Sequence, residues 1–316
     1  MRVGAGLWTL QSTQSAPANL AATYLDFPRG AQRVEALGFD SLWMAEHRFW
    51  YDGWCPQPLV AIAAAARATT RLRFGTSMLL VSQHEPARFA RLASTAAAQS
   101  GGRLDLGIGL GHRDAEFDGL SLRRNQRGAR MTDALDELVA LPECPPLWIG
   151  GMAPAALERG AARGTGFVLP QTLYPNEVAD FVDKIGGYAS DAGRAPGPIG
   201  ILKDCWVTGP GTISADDVRE RIRRHYREEA GAWWVLKGDS TGFEQPELLD
   251  RQLQRVFDTA LIGPVDEVIE SLRELRAASV DLVTLRFWFD VTAGEEAWRS
   301  MELFAADALT EEGQLR

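Results

Sequence analysis

The sequence predicts an α/β fold, a (β/α)8 TIM barrel, formed by one domain over residues 1–316. Short apolar runs alternate with helical stretches about eight times along the chain. Strands that alternate with helices form parallel sheets through crossover connections, and eight such units close a barrel. No low-complexity linker or 20–50-residue repeat interrupts the alternation, so we expect no second domain.

The predicted elements follow from hydrophobic patterning. Strands are expected at 2–9, 39–45, 71–81, 103–109, 147–150, 167–169, 199–207 and 280–287. Helices are expected at 24–37, 59–68, 86–99, 131–141, 154–163, 176–190, 215–229, 264–277 and 295–309. The region between the last two βα units reads as less regular up to Ile262. Within it, the stretch from Gly231 to Pro246 is long enough to predict a mobile lid.

Composition and charge exclude several classes of protein. A hydrophobic fraction of 46% and a charged fraction of 24% are ordinary for a globular enzyme. The formal net charge of -9 disfavours binding to nucleic acid or to an anionic membrane surface. No apolar segment reaches the roughly 18 residues of a membrane span, and the N-terminus lacks a signal-peptide pattern. We therefore expect a cytoplasmic protein.

Cysteine and histidine usage argues against disulfides and metal sites. The three cysteines, Cys55, Cys144 and Cys205, are far apart and show no CxxC spacing, so free thiols are expected. The four histidines form neither an HxH nor an HExxH pair, so no metal ligand set is expected.

Candidate functional residues follow the strands, because a barrel of this type builds its site from the loops after the strand C-termini. His47 follows the second strand and can exchange a proton near neutral pH, although a structural histidine fits equally well. Glycines at 107, 109, 111, 150 and 151 leave room for a flat ring or a phosphate, or simply form tight βα turns. The helix that begins near Pro154 can offer its N–H groups to an anion.

Four sequence segments, taken together, resemble the bacterial luciferase-like flavin-dependent monooxygenase family. They are LGFDSLWMAEHRF (37–49), RFGTSM (73–78), HEPAR (84–88) and SGGRLDLGIG (100–109). The C-terminal segments GPVDEV (263–268) and SMELF (300–304) are also similar to the family. The resemblance covers nearly the whole chain and rests on the order and spacing of loose motifs.

The resemblance implies roles for individual residues. His47 matches the family's acid/base histidine, whereas Arg48 replaces a commoner second histidine. The Ser77–Met78 bond lies where the family often has a non-prolyl cis peptide beneath the flavin ring, and Lys237 matches a lysine at the base of the lid. The implied cofactor-binding residues are Ser77, Met78, Gly109, Leu110, Gly111, Gly151, Met152 and Ala153. The implied substrate and lid residues are Trp8, Phe49, Lys237 and Trp288, with Trp50 and Trp54 as further aromatic candidates.

The chain departs from the family at the expected phosphate site. Leu110 stands where luciferase has a phosphate-binding arginine, and Met152 and Ala155 replace hydroxyl residues. Three substitutes are then open: backbone N–H groups near Met152 and Ala153, the side chain of His112, or that of Arg113. We expect weak flavin binding, which suits an enzyme that receives reduced flavin from a separate reductase.

The activity implied by the resemblance is oxidation of a small apolar organic molecule. Reduced FMN and O2 would form a C4a-peroxide that attacks the substrate, and a homodimer and a role in natural-product tailoring are expected. Two alternatives stay open. One is a deazaflavin-dependent oxidoreductase that transfers hydride without oxygen. The other is a non-catalytic flavin-binding partner subunit, against which His47 argues.

Overall fold

A computed structural model describes residues 1–11, 19–49, 53–225, 246–287 and 294–309. In these residues, eight parallel strands close the predicted barrel. They are β1 (Arg2–Trp8), β2 (Ser41–Met44), β3 (Arg73–Thr76), β5 (Leu104–Gly109), β6 (Leu147–Gly150), β7 (Gly166–Leu169), β8 (Ile199–Val207) and β10 (Leu282–Arg286). The expected α/β barrel is thereby confirmed.

Strand β10 closes the ring because it pairs with both β1 and β8. Arg2 is in register with Leu282, and Leu282 is in register with Gly200. Two short strands extend this sheet at its C-terminal edge. They are β4 (Leu79–Leu80), which pairs with β5, and β9 (Leu261–Gly263), which pairs with β8.

Helices follow the strands along the chain, and most of them cover the outside of the barrel. They are α1 (Leu20–Ala36), α2 (Pro58–Ala66), α3 (Pro86–Gln99), α4 (Asp114–Gly119), α5 (Arg127–Val139), α6 (Pro154–Ala161), α7 (Pro175–Asp191), α8 (Ala215–His225), α9 (Pro246–Thr259), α10 (Val265–Ala277) and α11 (Glu295–Ala308). A 3-10 turn at Val81–Gln83 leads into α3. Each amphipathic helix buries its apolar stripe against the strands.

Two helices were absent from the sequence prediction. The region expected to be irregular contains α9, whose Leu253 and Val256 are buried three residues apart, as helical periodicity requires. Helix α4 has only six residues, too few to give a periodic signal. Most of the predicted lid, including Lys237, lies outside the described residues.

The barrel interior is filled by two indole rings that pack against glycines. Trp43 and Trp148 meet edge to face, with ring centroids 6.0 Å apart. A Cβ atom on Gly75 would lie 2.3 Å from the Trp43 ring, and one on Gly166 would lie 2.7 Å from Trp148. Because a side chain at either glycine would overlap an indole, the glycines are what allow two large rings to fit inside.

Candidate active site

Met78 forms the floor of the C-terminal mouth of the barrel. The Ser77–Met78 peptide is cis, as the resemblance implied. The Met78 side chain packs against the cluster that contains Trp43 and Trp148. A Cβ atom on Gly109 would come within 3.1 Å of Met78, and one on Gly150 within 2.7 Å. Because these glycines have no side chains, the ends of β5 and β6 can approach Met78 closely. This leaves a surface suited to a flat ring.

His47 is held by a carboxylate that the sequence prediction did not include. Its Nδ1 atom lies 2.9 Å from Oε1 of Glu116, the buried third residue of α4. Because a carboxylate only accepts hydrogen bonds, Nδ1 carries the proton in this contact. The imidazole also packs edge to face on Trp54, with centroids 4.6 Å apart. Its orientation and tautomer are therefore fixed by its neighbours.

Glu116 stays ionised although it is fully buried. Burial opposes its ionisation. The hydrogen bond with His47 and the positive charge of that imidazole when it is protonated, followed by hydrogen bonds from the Arg48 N–H and the Gln83 amide, outweigh burial and hold the pKa of Glu116 below its ordinary value. The Arg48 N–H donates to Oε1 at 2.9 Å, and Nε2 of Gln83 donates to Oε2 at 3.1 Å. Glu116 is thus a permanent acceptor for His47.

Arg48 takes a structural position beside this pair. Its guanidinium forms an ion pair with buried Glu46 at 2.5 Å and donates to Nε2 of His84 at 2.8 Å. Glu46 in turn accepts the backbone N–H of Leu80 at 2.8 Å. Arg48 therefore ties the loop after β2 to the segment that precedes α3, in place of the histidine common in the family.

A cavity of about 630 Å³ opens at the ends of β5 and β6, beside the floor. Its wall includes Leu110 and Ala153, two of the residues implied to bind the cofactor. The remaining lining residues are Asp114, Arg124, Asn125, Arg127, Gly128, Ala155, Ala156 and Arg159. Three arginines against one aspartate give the cavity a net positive charge, and the N-terminal end of α6 adds a partial one.

The surroundings of Arg159 indicate that an anion bound in this cavity would be stabilised. Burial, followed by the like charge of Arg163, lowers the pKa of Arg159. Its Nε donates to Oγ1 of Thr132 at 3.0 Å. Arg124 is already paired with Asp114 at 3.1 Å. Anionic groups bound here would offset the crowding of positive charge.

The structure does not place Arg113 at this cavity. Arg113 is 1% exposed and donates to Oε1 of Glu116 at 3.3 Å and to the carbonyl of Arg48 at 3.1 Å. Of the three substitutes left open for the phosphate-binding arginine, Arg113 is the one whose guanidinium is bound within the His47 cluster, and it is not among the residues that line the cavity. His112 lies near His47, with ring centroids 6.0 Å apart. Arginines 124, 127 and 159 line the cavity instead.

The other implied residues lie in different places. Gly111 and Gly151 have positive φ angles of 71° and 135° in the loops after β5 and β6, and Met152 is 38% exposed. Phe49 is 59% exposed and lies over Gly119, where an added Cβ would meet its ring at 2.6 Å. It presents an apolar surface at the mouth. Trp50, Lys237 and Trp288 lie outside the described residues.

Trp8 points into the helix layer instead of the mouth. Its ring packs edge to face on Phe27 of α1 and Trp298 of α11, at centroid distances of 5.1 and 6.0 Å. The register between β1 and β2 shifts between Ala5 and Trp8, and Leu7 joins the interior cluster. Strand alternation would point the Trp8 side chain into the barrel, but this irregularity turns it outwards. Trp8 therefore packs between the barrel and its helices.

The described part of the chain contains neither a metal-binding group of side chains nor a membrane-spanning helix. No group of three or more His, Cys, Asp or Glu side chains there is arranged to hold a metal ion. Among the helices described, none is both long enough and apolar enough to cross a bilayer.

Known proteins resemble this chain in sequence and in fold. The chain is 26% identical to 4-hydroxyprotoasukamycin monooxygenase from Streptomyces nodosus subsp. asukaensis, over 87% of this chain and 83% of that protein. Its fold matches the oxygenating constituent of 3,6-diketocamphane monooxygenase from Pseudomonas putida in complex with FMN, with a TM-score of 0.74, 16% identity and coverage of 96% and 97%. An F420-dependent secondary alcohol dehydrogenase has the same fold, with a TM-score of 0.72, 16% identity and the same coverage.

The family model for luciferase-like monooxygenases matches residues 5–142 and 136–282, which is most of the sequence. The barrel accordingly has a common origin with the members of that family. The chain belongs to the luciferase-like monooxygenase family.

Proposed function

We propose that this protein is a flavin-dependent monooxygenase that uses reduced FMN and O2 to oxidise a small apolar organic molecule. The proposal rests on three features that adjoin at one end of the barrel. They are the Met78 floor, the His47–Glu116 pair and the arginine cavity, which is the cavity lined by arginines 124, 127 and 159. Gly109 borders the Met78 floor, and the next residue, Leu110, lines the arginine cavity. Ser82 donates to the carbonyl of Leu110, and the next residue, Gln83, donates to Glu116, which contacts His47.

The residues present fit a flavin mononucleotide. Met78, Gly109 and Gly150 would lie against the ring, and Arg127 and Arg159 with the start of α6 would hold the phosphate. Bound reduced FMN supplies the two electrons with which O2 is activated. Guanidinium groups from α5 and α6 thereby replace the arginine that luciferase has at the position of Leu110.

His47 is the proposed acid/base. Because Nδ1 donates to Glu116, proton exchange with the reactants proceeds at Nε2. Trp54 covers one side of the imidazole, and exposed Phe49 extends the apolar surface at the mouth. An apolar surround excludes water and suits an apolar substrate. Delivery of reduced FMN by a separate reductase, a homodimeric assembly and a cytoplasmic location stay predictions.

A deazaflavin-dependent oxidoreductase is the second candidate. The matching fold of an F420-dependent dehydrogenase supports it, as does the absence of luciferase's arginine at Leu110. The cavity of about 630 Å³ also exceeds the needs of a single phosphate. In that case His47 would exchange a proton with an alcohol or carbonyl group while hydride moves to or from the ring.

The test compares the two cofactors directly. Titration of the purified protein with FMN, reduced FMN and F420 gives the affinities. Stopped-flow mixing of the reduced-FMN complex with oxygenated buffer then follows the return of oxidised-flavin absorbance. A return slower than that of free reduced FMN, followed by oxygen incorporation into an aldehyde or ketone probe, supports the monooxygenase. Tight binding of F420 with no effect on FMN oxidation contradicts it and favours the second candidate.

A further inference from the structure

Glu116 and three residues around it form a closed ring of hydrogen bonds, in addition to the contact between Glu116 and His47. Arg113 donates from Nη1 to Oε1 of Glu116 at 3.3 Å and to the carbonyl of Arg48 at 3.1 Å. The Arg48 side chain donates to Oε1 of Gln83 at 3.3 Å. Nε2 of Gln83 donates to Oε2 of Glu116 at 3.1 Å and closes the ring.

Only one arrangement of donors and acceptors satisfies this ring. The guanidinium groups only donate and the Glu116 carboxylate only accepts, so the Gln83 amide must place its oxygen towards Arg48 and its nitrogen towards Glu116. All four residues are at most 8% exposed. Water therefore competes little for these contacts, and the loss of one member would leave the others unsatisfied.

The ring joins three separate chain segments around the acceptor of His47. Arg48 belongs to the loop after β2, Gln83 to the 3-10 turn before α3, and Arg113 caps the N-terminus of α4, which carries Glu116. Two opposing contacts, Arg113 on Oε1 and Gln83 on Oε2, fix the rotation of the carboxylate. Its Oε1 atom is thereby directed at Nδ1 of His47.

Charge balance supports the same role. The guanidinium of Arg48 forms an ion pair with Glu46, and that of Arg113 forms one with Glu116 at 3.3 Å. Glu116 therefore has a guanidinium partner besides His47, so its negative charge is balanced also when the imidazole is neutral. A neutral imidazole is what an acceptor of protons needs.

We propose that Arg113 and Gln83 are positioning residues that hold Glu116 so that neutral His47 keeps its proton on Nδ1 and presents Nε2 as the proton-accepting atom. The role of Nε2 rests on the proposed function, whereas the tautomer does not. In water the Nε2–H tautomer of histidine predominates. The ring therefore selects the form that is the minor one in free histidine.

The chain offers a direct test because it has only four histidines, at positions 47, 84, 112 and 225. Nitrogen-15 NMR of the histidine-labelled, cofactor-free protein distinguishes a protonated from an unprotonated ring nitrogen. The spectrum would be recorded at about pH 9, well above the ordinary histidine pKa of about 6.5. The His47→Gln variant identifies the His47 signals by their disappearance.

We expect the wild-type His47 signals to show a protonated Nδ1 and an unprotonated Nε2. Arg113→Gln and Gln83→Leu should each shift the tautomer ratio towards Nε2–H by about fivefold or more, since each removes a hydrogen bond from the carboxylate. Arg113→Lys should restore part of the ratio, because the ammonium group keeps the positive charge and can donate, but the side chain lacks the fixed planar geometry of the guanidinium. Arg273→Gln on exposed α10 removes the same charge and should leave the ratio unchanged.

The thermal unfolding of each variant shows whether it is folded. If Arg113→Gln does not fold, Gln83→Leu still tests the proposal. A folded Gln83→Leu or Arg113→Gln protein with the wild-type tautomer ratio overturns the proposal, as does a wild-type His47 that carries protons on both nitrogens. Because no cofactor is present, these results are independent of whether the protein uses FMN. A positive NMR result with no flavin chemistry would retain the positioning role and reject the proposed reaction.

Discussion

The Nδ1 atom of His47 lies 2.9 Å from Oε1 of Glu116, although the two residues are 69 positions apart in sequence. The contact gives the imidazole a fixed direction at the mouth of the barrel. It also means that the chemistry assigned to His47 depends on a short helix from a different βα unit.

Replacing Glu116 with Gln should lower the rate of substrate oxidation by about 100-fold, the lower end of what a positioned acid/base contributes. FMN affinity should be retained, because Glu116 does not line the arginine cavity. Single-turnover kinetics and an FMN titration check both statements. Asp118→Asn, on the exposed face of the same helix, is the matched control and should behave as wild type.

Replacing Arg127 or Arg159 with Gln should weaken FMN binding by about tenfold or more, as expected for the loss of a hydrogen bond to a charged group. Binding of riboflavin, which lacks the phosphate, should not change. Fluorescence titrations with both ligands measure the difference. Arg123→Gln removes a neighbouring exposed arginine outside the cavity and serves as the control. An equal loss of affinity for riboflavin would place the phosphate elsewhere.

The deprotonation of Lys203 should make the free energy of unfolding rise with pH. Burial lowers the pKa of this lysine from 10.5 to about 8, although its ammonium group donates to the carbonyls of Gln171 and Leu173. Between these two values the unfolded chain holds a proton that the folded protein has released, so raising the pH favours folding. Wild type should gain about 2 kcal/mol relative to Lys203→Met between about pH 7.5 and about pH 9.5.

Urea denaturation at the two pH values measures this difference. Lys184→Met, which changes an exposed lysine on α7, should show the same pH dependence as wild type. A Lys203→Met protein whose stability follows that of wild type across this range would show that Lys203 does not titrate there.

Two glycine-to-alanine changes should move stability in opposite directions. Gly75→Ala places a Cβ 2.3 Å from the Trp43 ring, which is confined, and should destabilise the fold by about 3 kcal/mol. Gly187→Ala, inside α7 with nothing within 4 Å of the new Cβ, should stabilise it by about 0.5–1 kcal/mol. Unfolding in urea measures both changes. Equal stabilities for the two variants would mean that the interior accommodates the added methyl group.

The sequence predicted the eight barrel strands well because strands buried on both faces appear as continuous apolar runs. It missed Glu116, since a single acid in a six-residue helix gives no periodic signal and its partner is distant in sequence. Arg127 and Arg159 resemble ordinary solvated charges on amphipathic helices until the barrel brings them together. Trp8 was placed wrongly at the mouth because a local register shift is invisible in a short strand.

The packing of Trp43 against Gly75 constrains how this barrel can change over evolution. A larger residue at position 75 can be accommodated only after Trp43 is replaced by a smaller residue. That replacement alone leaves an empty volume at the centre of the protein. The two positions must therefore be inherited as a pair, and any path between alternative pairs passes through a less stable intermediate sequence. A survey of homologous sequences should find these two positions covarying in volume, with large residues at one matched by small residues at the other.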